Sequence, residues 1–214
     1  MILSIETSHG ICSVCLDDGN NRYFRQAGES FAHGRLLTVF IKEVMQEAGC
    51  LYSRLDAVAY SAGPGSYTGL RIGASVAKGL CWAADRPLLA VPTLQAMALY
   101  AAEKTGYYGE WLVWLNARNH RVYSGSYQGR ELNEVTSPHL YTVSPPFSIE
   151  KRCVVLDEPK LIDELCVGNP EQLVVSEHSA KEVAAIARVL YIKKDFVDVK
   201  QAEPHYITGF GKQF

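Results

Sequence analysis

Over the first half of the chain the rhythm of apolar and polar residues switches between two periods, and each switch predicts an element. Residues 3–5 read as a buried strand, Thr7-Ser8-His9-Gly10 as a turn, residues 11–16 as a second strand and residues 22–27 as a third. The run Asp17-Asp18-Gly19-Asn20-Asn21 between the last two is a strong hairpin signal. The period then lengthens. Leu36, Leu37, Phe40, Ile41, Val44, Met45 and Ala48 recur at helical spacing, and Gly49 is the stop. A strand over 56–61, a glycine-rich loop, a helix over 69–84 and a strand over 88–91 follow, and Pro92-Thr93 opens a third helix with Thr93 as its expected N-cap.

The order β-β-β-α-β-α-β-α predicts a mixed sheet with helices on its faces, which is the element order of a ribonuclease H-like or actin-like lobe. The second half begins in the same way. Residues 111–115 are strand-like, Asn116-Ala117-Arg118-Asn119-His120 is a polar turn, 122–127 is a second strand and 131–136 a third. Residues 153–156 and 173–175 read as short buried strands, and Ser179 with Glu182 forms a capping-box pattern ahead of an apolar-periodic helix over 183–191. The expectation is an α/β protein of two ribonuclease H-like lobes of the actin-like ATPase (ASKHA) type, each a mixed sheet flanked by helices. The lobes run over 1–104 and 105–214, with the boundary near 103–110 and the last helix free to pack back on the first lobe.

Composition narrows the function. Hydrophobic residues make up 48% and charged residues 21% of the 214, with a formal net charge of −2. That balance suits a globular protein and argues against a free-standing nucleic-acid binder, which carries a basic excess. No apolar run approaches the ~18 residues of a membrane span, and the opening residues lead directly into a strand without a basic region, so a cytoplasmic location without a signal peptide is expected. Cys12 and Cys15 form a C-x-x-C, but within a strand their odd separation puts them on opposite faces, so buried thiols are expected rather than a metal or redox pair.

The most informative stretch is Ser61-Ala62-Gly63-Pro64-Gly65-Ser66-Tyr67-Thr68-Gly69-Leu70-Arg71-Ile72-Gly73. A glycine-rich turn from strand to helix can aim backbone N–H groups at an anion, or can let two backbones approach closely. The register fits no Walker pattern, because Gly69-Leu70-Arg71 stands where Gly-Lys-Ser/Thr is required, and Ser66 directly follows Gly65, so the G-x-S-x-G elbow also fails. Tight packing is the main reading of residues 63–73, with anion binding at the helix N-terminus secondary. Glu6, Thr7 and Ser8 in the first lobe, and Asn116 and Arg118 in the second, occupy the hairpin turns where an actin-like nucleotidase holds phosphates and Mg²⁺; Asn116 brings an oxygen but no charge. His33 lacks a second histidine at i±4, where Leu37 and Glu29 stand, and is expected to cap its helix or lie on the surface; no metal site and no catalytic residue is assigned. The helix after the loop is apolar nearly all round, and the first helix carries a wide apolar band. Leu36, Leu37, Phe40, Val44, Ile72, Val76 and Leu80 are therefore candidates for a partner interface, set against ordinary packing on the sheet.

At these residues the chain resembles a known family. Ile2-Leu3-Ser4-Ile5-Glu6-Thr7-Ser8 with Cys12-Ser13-Val14 is similar to its "ILAIDTS…CSVAL" opening, and the glycine loop running on through Ala77-Lys78-Gly79-Leu80 to its "GPGSFTGLRIG…AKGLA" signature. Val91-Pro92-Thr93-Leu94-Gln95-Ala96-Met97-Ala98 resembles "VSSLEALA", Asn116-Ala117-Arg118 with Val122-Tyr123 resembles "DAR…EVY", and Glu203-Pro204-His205-Tyr206-Ile207 resembles the "P-x-Y-L-R" ending, with Thr208 in place of Arg. The likeness is specific over residues 1–101 and thin after Tyr123. Glu6 and Asn116 stand where Asp is usual, and Arg121 where Glu is common. These are the marks of the TsaB (YeaZ) family, historically grouped with the M22 glycoprotease-like proteins. The resemblance implies a bacterial scaffold without chemistry of its own, which forms a heterodimer with the catalytic paralogue TsaD and works with the ATPase TsaE. Together they transfer threonylcarbamoyl from threonylcarbamoyl-adenylate to the adenosine beside the anticodon of tRNAs that read ANN codons. It further implies a homodimer as an alternative assembly in isolation, tRNA engaged through the complex, no cofactor required by this chain, and ATP or ADP bound at the level of the complex. It tips the two apolar helices toward an interface. The competing reading is an enzyme acting alone, an M22-type peptidase or a weak ATPase.

Overall fold

The computed structural model describes residues 1–28 and 33–207; Glu29 and Thr208 lie outside the described residues. The chain divides into two units, Met1–Thr93 with Ser179–His205, and Leu94–His178 with the residues from Tyr206.

The first unit contains β1 (Ile2–Glu6), β2 (Ser13–Asp17), β3 (Arg22–Gln26), α1 (His33–Glu47), β4 (Ala57–Gly63), α2 (Tyr67–Ala84) and β5 (Leu88–Pro92). Its sheet has the order β3-β2-β1-β4-β5, antiparallel through the first three strands and parallel from β1 to β5. This is the mixed sheet expected from the three hairpin-linked strands. The hairpin turn closes as its residues require: Gly19 takes φ +100°, Asp17 accepts from the Gly19 amide at 2.8 Å, and Asp18 accepts from the amides of Asn20 and Asn21.

Side-chain alternation gives this sheet two different faces. Leu3, Ile5, Val14, Leu16, Val58 and Tyr60 pack with Leu37, Ile41, Val44 and Met45 of α1 and with Ala74, Ala77 and Cys81 of α2. The opposite face carries Ser4, Glu6, Ser13, Cys15 and Asp17, all buried. That face is covered by a helix from the far end of the sequence, residues 180–193, whose Ala180 and Ala184 sit on Cys15 and whose first amide donates to Ser13 Oγ at 2.9 Å. Small side chains on both sides let that helix approach the sheet closely. Cys12 and Cys15 thus lie in different clusters, as their spacing predicts. Burial pushes both thiols up to about 12, with the Glu6 charge adding to the effect at Cys12.

The second unit contains most of α3 (Thr93–Thr105), then β6 (Trp111–Asn116), β7 (Arg121–Gln128), β8 (Asn133–Thr142), β9 (Phe147–Ser148), β10 (Cys153–Leu156), α4 (Lys160–Leu165), β11 (Cys166–Val167) and β12 (Gln172–Val175); the helix over Ala180–Lys193, which belongs to the first unit, is α5. Its main sheet has the order β12-β10-β6-β7-β8, and β9 pairs with β11 in a separate two-stranded sheet. Leu94, Met97, Ala98 and Ala101 of α3 pack on Trp111, Val113, Leu115 and Val155. Trp114, Val122, Val154 and Leu156 face the other way, against Ile149 and Leu161, with Phe147 over Trp114 at 5.0 Å between ring centres.

Four expectations need correction. The third strand of this unit covers Asn133–Thr142 rather than 131–136, because Gly129 and a left-handed Leu132 hold the preceding residues in a turn. The last strand is an edge strand with Leu173 and Val175 exposed, not a buried one. Thr93 begins α3 but does not cap it: its buried hydroxyl has no hydrogen-bond partner among the described residues. The capping box at Ser179 and Glu182 does form, at the start of α5. The fourth correction, at His33, concerns the site below. No helix among the described residues is long and apolar enough to cross a membrane.

Candidate functional site

The first-unit turn and the glycine loop are locked together by hydrogen bonds. β1 ends on Glu6, whose buried Oε1 accepts from the Ser8 amide at 2.5 Å and from Ser61 Oγ at 3.0 Å. Ser61 Oγ, at the end of β4, in turn accepts from the Thr7 amide at 3.2 Å. The Ser8 carbonyl accepts from the Ser66 amide at 2.6 Å. Three of the amides that a phosphate cradle would present to a ligand, those of Thr7, Ser8 and Ser66, are therefore spent inside the protein. Ser66 caps α2 by accepting from the Gly69 amide at 3.3 Å.

The glycines are where they are because the turn lies against them. A β-carbon on Gly69 would sit 2.1 Å from the Thr7 carbonyl oxygen, and one on Gly73 would sit 2.2 Å from Thr7 Oγ1. The position of a β-carbon on Gly65 is filled by Ser8, and that on Gly63 by the His205 carbonyl, whose amide donates to the Ala62 oxygen at 2.6 Å. Pro64 is buried, Thr68 is exposed, and Arg71 lies over the Tyr67 ring at 4.2 Å. His33 opens α1 at 5% exposure, so it is not a surface residue. Burial holds its imidazole below the usual range; a hydrogen bond with the His9 backbone and the Glu6 charge oppose the shift without overcoming it. His9 Nδ1 lies 3.5 Å from Glu6 Oε1.

The seven residues proposed for an interface split into two sets. Leu37 and Val44 are 1% and 0% exposed and belong to the core, because their row of α1 faces β2. Leu36, Phe40, Ile72, Val76 and Leu80 are half-buried at the outer margin of the same cluster. Two further large apolar side chains on these helices are exposed: Val39 on α1 and Trp82 on α2, the latter at 68% with the Lys200 ammonium 5.7 Å from its ring. A break in the helical repeat at α2 was the signal available, since Trp82 falls outside the apolar rows.

In the second unit the turn after β6 gathers groups from distant sequence. The Asn116 amide donates to Asp157 Oδ1 at 2.8 Å, the Asn116 side chain donates to Glu158 Oε2, and Asn116 Oδ1 accepts from the Arg118 amide at 2.7 Å. Arg118, Asn119 and His120 all take positive φ, between 53° and 64°, so the exposed tip is a left-handed run of non-glycine residues. Asp157 and Glu158 directly follow β10, parallel to β6, so the sheet itself brings them to Asn116. No local sequence pattern places carboxylates beside the neutral Asn116; the strand pairing does.

Comparison with known proteins fits this architecture. The family model described as TsaD, tRNA N6-adenosine threonylcarbamoyltransferase, matches residues 29–144. The chain is 34% identical over 149 residues to the tRNA threonylcarbamoyladenosine biosynthesis protein TsaB of Escherichia coli (strain K12), across 65% of this chain and 63% of that protein. It is 29% identical over 206 residues to the TsaB protein of Buchnera aphidicola subsp. Acyrthosiphon pisum, across 95% of this chain and 85% of that one. Among solved structures, a Pseudomonas aeruginosa protein described as similar to peptidase YeaZ superposes with a TM-score of 0.86 at 26% identity, covering 97% of this chain and 99% of that one. The family model described as TsaD spans more than half of the chain, so the chain belongs to that family, within which the relatives it matches over most of its length carry the names TsaB and YeaZ.

Proposed function

We propose that this chain takes part in making threonylcarbamoyladenosine in tRNA, as a non-catalytic scaffold that binds and stabilises a TsaD-type transferase. TsaE and tRNA join at the level of that complex. The names of its relatives support the pathway. The observation that carries the scaffold role is the outer face of α1 and α2, where Leu36, Phe40, Ile72, Val76 and Leu80 stay half-buried at the margin of the core, while Val39 on α1 and Trp82 on α2 are exposed. Apolar side chains left at the outer margin of two helices are candidates for an interaction site. The spent amides at the glycine loop support the same reading, since they favour packing over phosphate binding there.

The test is assembly. Val76→Glu buries an unpaired charge at the proposed contact and weakens binding to the TsaD partner by on the order of 100-fold or more. Trp82→Ala, at an exposed position, weakens it without altering the melting of the free chain. Unchanged affinity in both variants refutes the interface. ATP turnover or peptide cleavage by the isolated chain that Glu6→Ala abolishes refutes the scaffold role.

A further inference from the structure

The second-unit sheet has an opposite end, away from Asn116 and Asp157, that the proposed function does not use. Glu171, Arg152 and Glu110 immediately precede the first residues of β12, β10 and β6. The pairings of Cys153 with Gln172 and with Trp111 set these three side by side in one row, negative, positive, negative. Neighbouring strands are ~4.8 Å apart. The row opens on a hollow of about 180 Å³ whose walls also include Lys151, Tyr107 and Leu112. Lys151 takes a left-handed conformation, φ +56°, in the turn entering β10.

All four charged residues are exposed. Among the described residues none of Glu110, Lys151, Arg152 and Glu171 forms an ion pair. The Arg152 guanidinium lies over the Phe147 ring at 5.9 Å instead. Two carboxylates and two cations thus border one space without neutralising each other across it. The space equals roughly six waters at ~30 Å³ each, below the ~300 Å³ at which drug-sized pockets begin. A simple anion or cation would satisfy one pair of charges and be repelled by the other. A small molecule carrying both charges a few bonds apart satisfies all four.

We propose that this hollow binds a small zwitterion of the α-amino-acid class. Its ammonium lies between Glu110 and Glu171, its carboxylate on Arg152 and Lys151, and a short side chain rests on Leu112. The bidentate fork of Arg152 suits a carboxylate. The hollow uses second-unit residues alone and none from α1 or α2.

The experiment is an NMR titration of the full chain with L-alanine, and separately with ethylamine and with propionate, which carry one charge each. L-Alanine gives saturable shifts at the amides of Glu110, Arg152 and Glu171, and each half-molecule binds at least about tenfold more weakly. Glu171→Gln and Arg152→Gln, both at exposed positions, each weaken L-alanine by about tenfold or more. Absence of saturable shifts, propionate binding as tightly as L-alanine, or an L-alanine affinity untouched by both substitutions overturns the proposal.

Discussion

Thr7 touches two of the loop glycines through different atoms, and the difference can be measured. Gly69 meets the Thr7 backbone oxygen and Gly73 meets the Thr7 side chain. Overpacking a fitted contact costs about 1–3 kcal/mol. Gly69→Ala and Gly73→Ala should both lower stability in denaturant melts, but only Gly73→Ala should be relieved by Thr7→Ala, with a favourable coupling of about 1 kcal/mol in a double-mutant cycle. Strict additivity at Gly73, or equal relief at Gly69, contradicts this account. The need for small residues at 63–73 was legible in the sequence, since glycine and proline punctuate a strand-to-helix turn. Their opponent was not, because Thr7 arrives through the β1–β4 pairing and no local pattern announces that. His33 is a similar case: its spacing excluded a paired-histidine motif, but its burial against the His9 backbone depends on a turn two strands earlier.

The apolar period marks the extent of an element more firmly than the face by which it packs. The period of α1 fixed its extent to within a few residues, yet a wide apolar band does not say which arc meets the sheet, so Leu37 and Val44 were grouped with the outer row. Polar anchors settle such orientations. Asp17 at the end of β2 takes Arg188 of α5 and Arg22 of β3, tying the long-range helix to the hairpin. Burial pushes the Asp17 carboxyl up, but the Arg188 hydrogen bond, the Gly19 amide and the two positive charges outweigh it and hold the group below its usual range. A depressed carboxylate contributes stability that is complete above its unfolded value of ~3.9 and is lost as pH falls through the folded value. Asp17→Asn should therefore cost about 2 kcal/mol at pH 7. The gap to the native protein should narrow below about pH 4. Urea melts across that range check it; a gap that stays constant down to pH 2 rules out this ion pair as its source.

For the whole molecule, the element order identified the fold class, two mixed sheets flanked by helices, while the chain's return was only an option in the sequence. The returning helix has physical logic: the face of β1 and β2 that it covers is built of Ser4, Ser13 and Cys15, too small and polar to seal itself. That feature bears on the order in which the protein takes shape. Residues 94–178 form a continuous stretch, whereas the unit around β1 waits for a segment nearly ninety positions downstream of its own last strand. Closing that loop costs entropy before any contact repays it, which slows non-local assembly. During synthesis β1 and β2 leave the ribosome before residues 94–178, yet should lock after them, a reversal of the usual N-to-C order of domain folding. Pulse-labelling hydrogen exchange during refolding should find the amides of β6 and β10 protected before those of β1 and β2; simultaneous or earlier protection of β1 and β2 would mean that the first sheet needs no help from α5. A chain of this design exposes an unfinished sheet for as long as its last helix is missing, so the rate at which residues 180–193 dock sets how long it stays open to misassembly.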